Sequence, residues 1–165
     1  MAKKKPTQEI TDYRNENFQD YNFSYTDLNG EDMTKSDFKY SDFTGAMLDG
    51  CIMVQADLSY TIMDKCNLKG SNLERANFRR AVARESNFRG CKATKADFSG
   101  ADLQGCNFSG ANLQDSKFMG ANVSKANFDG ADIRGCNFMG ANTHGTNFNQ
   151  ARRGMSNMVL RCPVM

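Results

Sequence analysis

A large apolar residue recurs at every fifth position along most of this chain. The stretch ADFSGADLQGCNFSGANLQDSKF, residues 96–118, shows the period clearly, with Phe98, Leu103, Phe108, Leu113 and Phe118 at its centres. The same register runs from residue 18 to residue 148 without an insertion or a deletion, and all 12 phenylalanines of the chain lie in it. Chance would produce that placement with a probability on the order of 10⁻⁸. The period therefore reports a repeating structure.

The two residues that precede each centre also follow a rule. A small residue precedes the centre by two positions, as at Ala76 and Ala96, and Asn or Asp commonly precedes it by one. A period of five matches neither the 3.6 of a helix nor the 2.0 of a flat strand, but it suits a chain that turns a corner every five residues. Four corners close a coil of 20 residues. A column of glycines with that spacing supports the coil and predicts a turn with positive φ at Gly30, Gly50, Gly70, Gly90, Gly110 and Gly130.

Runs such as ADFSG, ADLQG, CNFSG, ANLQD, ANFDG and ADIRG resemble the pentapeptide repeat family, and the resemblance covers residues 16–150. It implies an all-β fold, a right-handed quadrilateral β-helix of about seven coils with one core along its axis. The phenylalanines expected to form that structural core are Phe18, Phe38, Phe78, Phe88, Phe98, Phe108, Phe118, Phe128, Phe138 and Phe148.

The two ends of the chain depart from the repeat. Residues 1–15 are predicted to form a basic N-terminal arm and a cap over one end of the solenoid. Residues 151–165 are predicted to form a degenerate last coil that regains the pattern at Ser156, Asn157 and Met158. The apolar residues at the end of this segment are interpreted either as a cap or as a homodimer contact through residues 155–165.

Charge and hydropathy exclude several classes of partner. The formal net charge is +2, from 21 basic and 19 acidic residues, so the whole molecule has no bias toward nucleic acid or acidic substrates. No apolar run is long enough for a membrane span, and the basic start has no apolar segment after it. We therefore expect no membrane association and a cytoplasmic location, or a host cytoplasm or virion for a viral protein.

The residues that usually carry chemistry are explained by the repeat. Five of the six cysteines, Cys51, Cys66, Cys91, Cys106 and Cys136, occupy the small inward position. His144 is the only histidine and falls on an outward position, and the repeated Asp positions are shared with Asn. Interchange with Asn indicates hydrogen bonding to turns rather than proton transfer. We expect no catalytic site, no metal site and no cofactor.

Three surface features are candidates for binding. The electrostatic candidate is a basic girdle around one coil, formed by Arg75, Arg79, Arg80, Arg84, Arg89, Lys92 and Lys95. The second candidate is an apolar and aromatic patch for protein contact, formed by Tyr40, Met47, Ile52, Val54, Tyr60 and Ile62. The third is a pair of outward methionines one coil apart, Met119 and Met139.

The favoured function is a non-catalytic protein-binding or structural scaffold whose partner the sequence does not identify. The family resemblance implies an alternative, since well-understood members imitate duplex DNA, dimerise through their C-terminal ends and protect DNA gyrase or topoisomerase IV. That imitation needs an acidic surface, whereas this chain is slightly basic. A second alternative is nucleic-acid binding through the basic girdle, which is disfavoured because a girdle matches an extended phosphate backbone poorly.

Overall fold

The computed structural model describes residues 12–154, and these wind into a four-sided coil that is a right-handed β-helix. Every β-bridge is parallel and joins residues 20 apart, as Asn17 joins Asp37 and Asp37 joins Asp57. Each face contributes one bridged residue per coil, and residues 12–154 contain no helix. Each coil has 20 residues: coil 1 is residues 16–35, and coil 7 begins at residue 136. The four faces are numbered 1 to 4 by their first centres, which are Phe18, Phe23, Leu28 and Met33.

Every corner of the coil requires a left-handed backbone. Each fifth residue from Asn15 to Gln150 has φ between +50° and +76°, and each is the second central residue of a turn such as the one closed by Tyr21 N and Phe18 O. Positive φ at that position is typical of a type II turn. The glycine column predicted to have positive φ does have it. The structure extends the requirement to all four corners, where 15 residues other than glycine also adopt it.

The Asn and Asp residues before the centres are explained by a repeated hydrogen bond. Their side-chain Oδ1 accepts the backbone N–H two residues later, as Asp42 does from Thr44 at 2.9 Å and Asn107 from Ser109 at 3.0 Å. That N–H has no carbonyl to bond in the next coil, because the ladder uses the flanking donors instead. Both Asn and Asp provide the acceptor oxygen, which is why they interchange along the chain.

The core is a continuous stack of the pentad centres. On faces 1 and 3 the phenylalanine rings stack from coil to coil, with centroids 4.6 Å apart for Phe88 and Phe108, and meet across the axis edge to face. Eight of the ten predicted core phenylalanines are buried. Phe138 and Phe148 are only half-buried, which corrects that part of the prediction: they belong to the last described coil, and no further coil within residues 12–154 covers them.

The small inward position also ties neighbouring coils together. Where it holds Ser or Cys, the side chain usually donates to a centre carbonyl of the preceding coil, as Ser41 does to Phe18 O at 2.5 Å and Cys106 to Ala83 O at 2.8 Å. Alanine fills the same position without that bond. Serine and cysteine at the small inward position therefore link neighbouring coils by hydrogen bonds, a role that composition alone does not reveal.

The two ends differ within the described range. At the first coil Tyr13 and Tyr21 place their rings 5.6 Å from Phe18, which leaves Phe18 7% exposed. Residues 12–15 are thus the described part of the predicted N-terminal arm and cap. The rest of that arm, and residues 155–165 of the predicted C-terminal cap or dimer contact, lie outside the described residues. Between residues 12 and 154 no helix has the length and apolar character needed to cross a membrane.

Candidate functional site

The apolar residues predicted to form one patch do not come together on one surface. Met47 lies on face 3, Ile52 and Val54 lie on face 4, and Ile62 lies on face 2. The prediction of a single patch is therefore wrong, because residues five apart in this coil face different sides. Met47, Ile52 and Ile62 are each about two-fifths exposed, and Val54 is half-buried. Met47, Ile52 and Ile62 belong instead to a set of exposed residues that surrounds the N-terminal coils.

We call this set the N-terminal apolar belt. Among residues 12–154, six of the eight exposed large hydrophobic residues fall in coils 1 to 3, and they are Tyr25, Tyr40, Met47, Ile52, Tyr60 and Ile62. Tyr25, which is 77% exposed, was not singled out from the sequence, although its aromatic ring at a corner position was a visible signal. The belt occupies two corners and three faces, so it encircles the first part of the rod.

The corner between faces 1 and 2 carries a second grouping, which we call the Tyr–Met edge. Tyr40 and Tyr60 stack there with ring centroids 5.2 Å apart, and the Arg80 guanidinium lies 5.9 Å from the Tyr60 centroid. Met119 and Met139 occur beside the same corner, in coils 6 and 7. The structure thus places on one edge two features that the sequence predicts as separate. The signal in the sequence was the 20-residue spacing within each pair, together with the place of Met119 and Met139 one residue before the corner column that holds Tyr40 and Tyr60.

The seven basic residues of the girdle do encircle the rod, and several are already paired. Arg84 makes a bidentate contact with Asp64, with its shorter N–O distance at 2.8 Å, and Lys92 contacts Glu74 at 2.8 Å. Arg79 lies 3.5 Å from Asp97. The other four girdle cations, which have no carboxylate within 4.0 Å among residues 12–154, are Arg75, Arg80, Arg89 and Lys95. Arg75 and Lys95 share one corner in neighbouring coils, Arg80 lies at a second corner and Arg89 lies in the turn at a third, so they form no continuous track for a phosphate backbone.

The nucleophilic side chains are placed for packing. Burial raises the pKa of the Cys51 thiol to about 11 and of Cys66, Cys91 and Cys136 to about 12. A thiol with so high a pKa is almost entirely protonated at neutral pH and is a poor nucleophile. His144 is exposed on face 2, and residues 12–154 contain no cluster of three metal-ligating side chains.

Comparison with family profiles identifies the repeat along nearly the whole described chain. A profile for the pentapeptide repeat region matches residues 41–118. Profiles for eight and nine copies of the pentapeptide repeat match residues 17–55 and 108–152. Comparison with curated protein sequences gives no significant match.

Several solved structures share the fold. A pentapeptide repeat protein from the Arabidopsis thaliana thylakoid lumen is 32% identical over 53% of this chain and 61% of its own, with a TM-score of 0.52. The match therefore spans about three-fifths of that protein. Full-length QnrB1, described as a plasmid-mediated fluoroquinolone resistance protein, is 17% identical over 87% of this chain and 88% of its own, with a TM-score of 0.52. At that identity the likeness to QnrB1 shows the fold alone.

Proposed function

We propose, from the premise that the chain belongs to the pentapeptide repeat family, that it is a non-catalytic rod that binds a protein partner around its N-terminal coils. The N-terminal apolar belt carries this proposal. Two of its members occupy columns that the other coils fill with polar residues. Ile52 stands between Asp32 and Asn72 on face 4, and Met47 stands between Asp27 and Asn67 on face 3.

The belt is not required by the coil itself. The centres and small inward residues already fill the core, and the belt residues point outward with exposed fractions of 39% to 77%. Exposed apolar and aromatic side chains are typical of the buried centres of protein contact surfaces, which are depleted in charge. A partner that surrounds the N-terminal coils would cover apolar side chains on several sides at once.

The absence of catalysis in this proposal follows from the buried thiols, the lone outward histidine and carboxylates that serve the turns. No cofactor is invoked. A cytoplasmic location belongs to the same proposal, although the Arabidopsis relative comes from a thylakoid lumen. The predicted roles of residues 1–15 and 151–165 also remain part of it.

The proposal is tested by comparing the proteins that the wild type, a belt variant and a control variant capture. Wild-type protein, the double variant Ile52→Asp with Ile62→Asp, and the control Ser109→Asp are cross-linked in lysate of the native host. Captured proteins are then compared quantitatively by mass spectrometry. We expect the partner to be recovered with wild type and control and lost from the double variant, whose circular dichroism stays native. Equal recovery from all three would refute the role of the belt.

The gyrase alternative has less support from the surface. Acidic side chains along the rod are commonly paired with cations two residues or one coil away, as Asp132 is with Arg134 at 2.6 Å and Asp64 with Arg84. A DNA-like surface needs columns of unpaired carboxylates instead. The same capture experiment decides the matter, since recovery of gyrase or topoisomerase IV subunits would make their protection the working function.

A further inference from the structure

The Tyr–Met edge has apolar residues at both ends and two cations near its middle, Arg80 at the corner and Arg79 beside it. Tyr40 and Tyr60 lie in coils 2 and 3 and are 47% and 44% exposed. Met119 and Met139 lie in coils 6 and 7 and are 37% and 60% exposed. Arg80 lies in coil 4. The remaining corner positions of this edge, in coils 5 to 7, are Gly100, Gly120 and Gly140.

We propose that this edge binds the same edge of a second copy of the chain that runs in the opposite direction. A two-fold axis between coils 4 and 5 places coil 2 of one copy against coil 7 of the other, coil 3 against coil 6, and coil 4 against coil 5. Tyr40 then meets Met139, and Tyr60 meets Met119, twice each. A two-fold interface requires such self-complementarity, and sulfur–aromatic contacts are favourable.

The glycines of coils 6 and 7 leave space for the incoming tyrosines. A Cβ built on Gly120 meets nothing within 4 Å, and one on Gly140 meets only backbone atoms of Gly120, at 3.9 Å and beyond. The chain already contains this kind of contact. The ring of Tyr25 lies over Gly45 of the next coil, so closely that a Cβ there would come within 2.6 Å of it. A tyrosine ring on a bare corner is thus a packing arrangement that this fold accommodates.

Arg80 fixes the direction of the second copy. In the antiparallel arrangement it faces Gly100, with Asp97 on the face 1 side of that corner and Asp102 on the face 2 side. Within residues 12–154 no carboxylate lies within 4.0 Å of the Arg80 guanidinium. Asp97 and Asp102 already lie 3.5 Å from Arg79 and 3.9 Å from Arg84 of their own chain, so Arg80 of the second copy would share these carboxylates. A parallel arrangement in register would instead place Arg80 against Arg80, which like charges oppose.

The contact is long and narrow. Five coil spacings of ~4.8 Å give a length of about 24 Å, and a corner presents little width. Its area is therefore in the range of small, reversible interfaces, below about 1,200 Å² in total. We expect a dimer whose population depends on protein concentration.

The experiment is sedimentation velocity of the full chain over a concentration series from about 1 µM to about 1 mM, a range that spans weak association. Wild type should shift from monomer to dimer. Tyr60→Lys and Met119→Asp should each raise the dimer Kd about tenfold or more, since each disrupts both symmetric contacts. An equimolar mixture of these two variants should recover a heterodimer, because one opposite-charge contact and one native contact then form together.

Ile52→Asp, on face 4, is the matched control and should dimerise as wild type does. It also separates this inference from the proposed function, because it weakens the N-terminal apolar belt and leaves the Tyr–Met edge intact. A wild type that stays monomeric throughout, a dimer that survives both single variants, or a mixture that shows no recovery would each overturn the proposal.

Discussion

Phe108→Ala should be among the most destabilising single truncations in this rod. The side chain is fully buried, and its ring lies 4.6 Å from Phe88, 4.9 Å from Phe128, 5.8 Å from Phe98 and 6.0 Å from Phe118. Truncation of a buried phenylalanine costs about 3–5 kcal/mol, and four aromatic neighbours place this one at about 4–5 kcal/mol. The coils above and below are held by backbone ladders, so they cannot collapse into the cavity.

The same reasoning gives a smaller loss at the end of the described rod. Phe148 is half-buried and has two ring neighbours, Phe128 at 5.2 Å and Phe138 at 5.7 Å. Phe148→Ala should therefore cost about 1.5–2.5 kcal/mol. Ser109→Asp, one residue after Phe108 and outward, should change stability by less than about 0.5 kcal/mol. Urea denaturation followed by circular dichroism measures all three. Equal losses for the two phenylalanine variants would refute the argument that stacking depth sets the cost.

Two further predictions concern the cysteines and the corners. Iodoacetamide at pH 8 should alkylate Cys51, Cys66, Cys91 and Cys136 only when denaturant is added, because burial raises their thiol pKa values to about 11 or 12. Peptide mass spectrometry measures the labelling at each cysteine. Rapid labelling of Cys66 in the native protein would contradict its inward placement. Gly110→Ala should lower the free energy of unfolding by about 1 kcal/mol, because alanine is strained at positive φ. Gly45→Ala should lower it by about 1 kcal/mol more, because the new Cβ also displaces the Tyr25 ring. Identical thermal denaturation midpoints for the two variants would rule out the contact between Tyr25 and Gly45.

Much of this fold is predictable from the sequence because each repeat position has one physical task. The centre must be large and apolar, and the residue two before it must be small, so the coil and most of its buried phenylalanines follow from spacing alone. The outward register of Ile52, Ile62, Met119 and Met139 follows in the same way, and their exposure agrees with it.

The surface groupings are less accessible to sequence reasoning. Residues that contact one another along a column of this surface are 20 positions apart in the sequence. Residues that are five positions apart lie on different faces, because the chain turns a corner between them. Ile52 and Ile62 look close in sequence and lie on opposite faces, while Tyr60 and Met119 look distant and lie on one edge. The positive φ at corners without glycine, such as Lys65, leaves no mark in the sequence because the coil imposes it.

That imposed conformation bears on why tyrosines occupy the corners. Tyr40 and Tyr60 have φ of +60° and +59°, a conformation that costs a residue other than glycine about 1–2 kcal/mol. The stacking of Tyr60 on Tyr40 and the Arg80 contact return about 1–2 kcal/mol. Tyr60→Gly should therefore leave the free energy of unfolding within about 1 kcal/mol of wild type in urea denaturation. It should also weaken the dimer about as much as Tyr60→Lys, because the Met119 contact is lost. A large loss of stability with an unchanged dimer would mean that the ring serves folding rather than recognition.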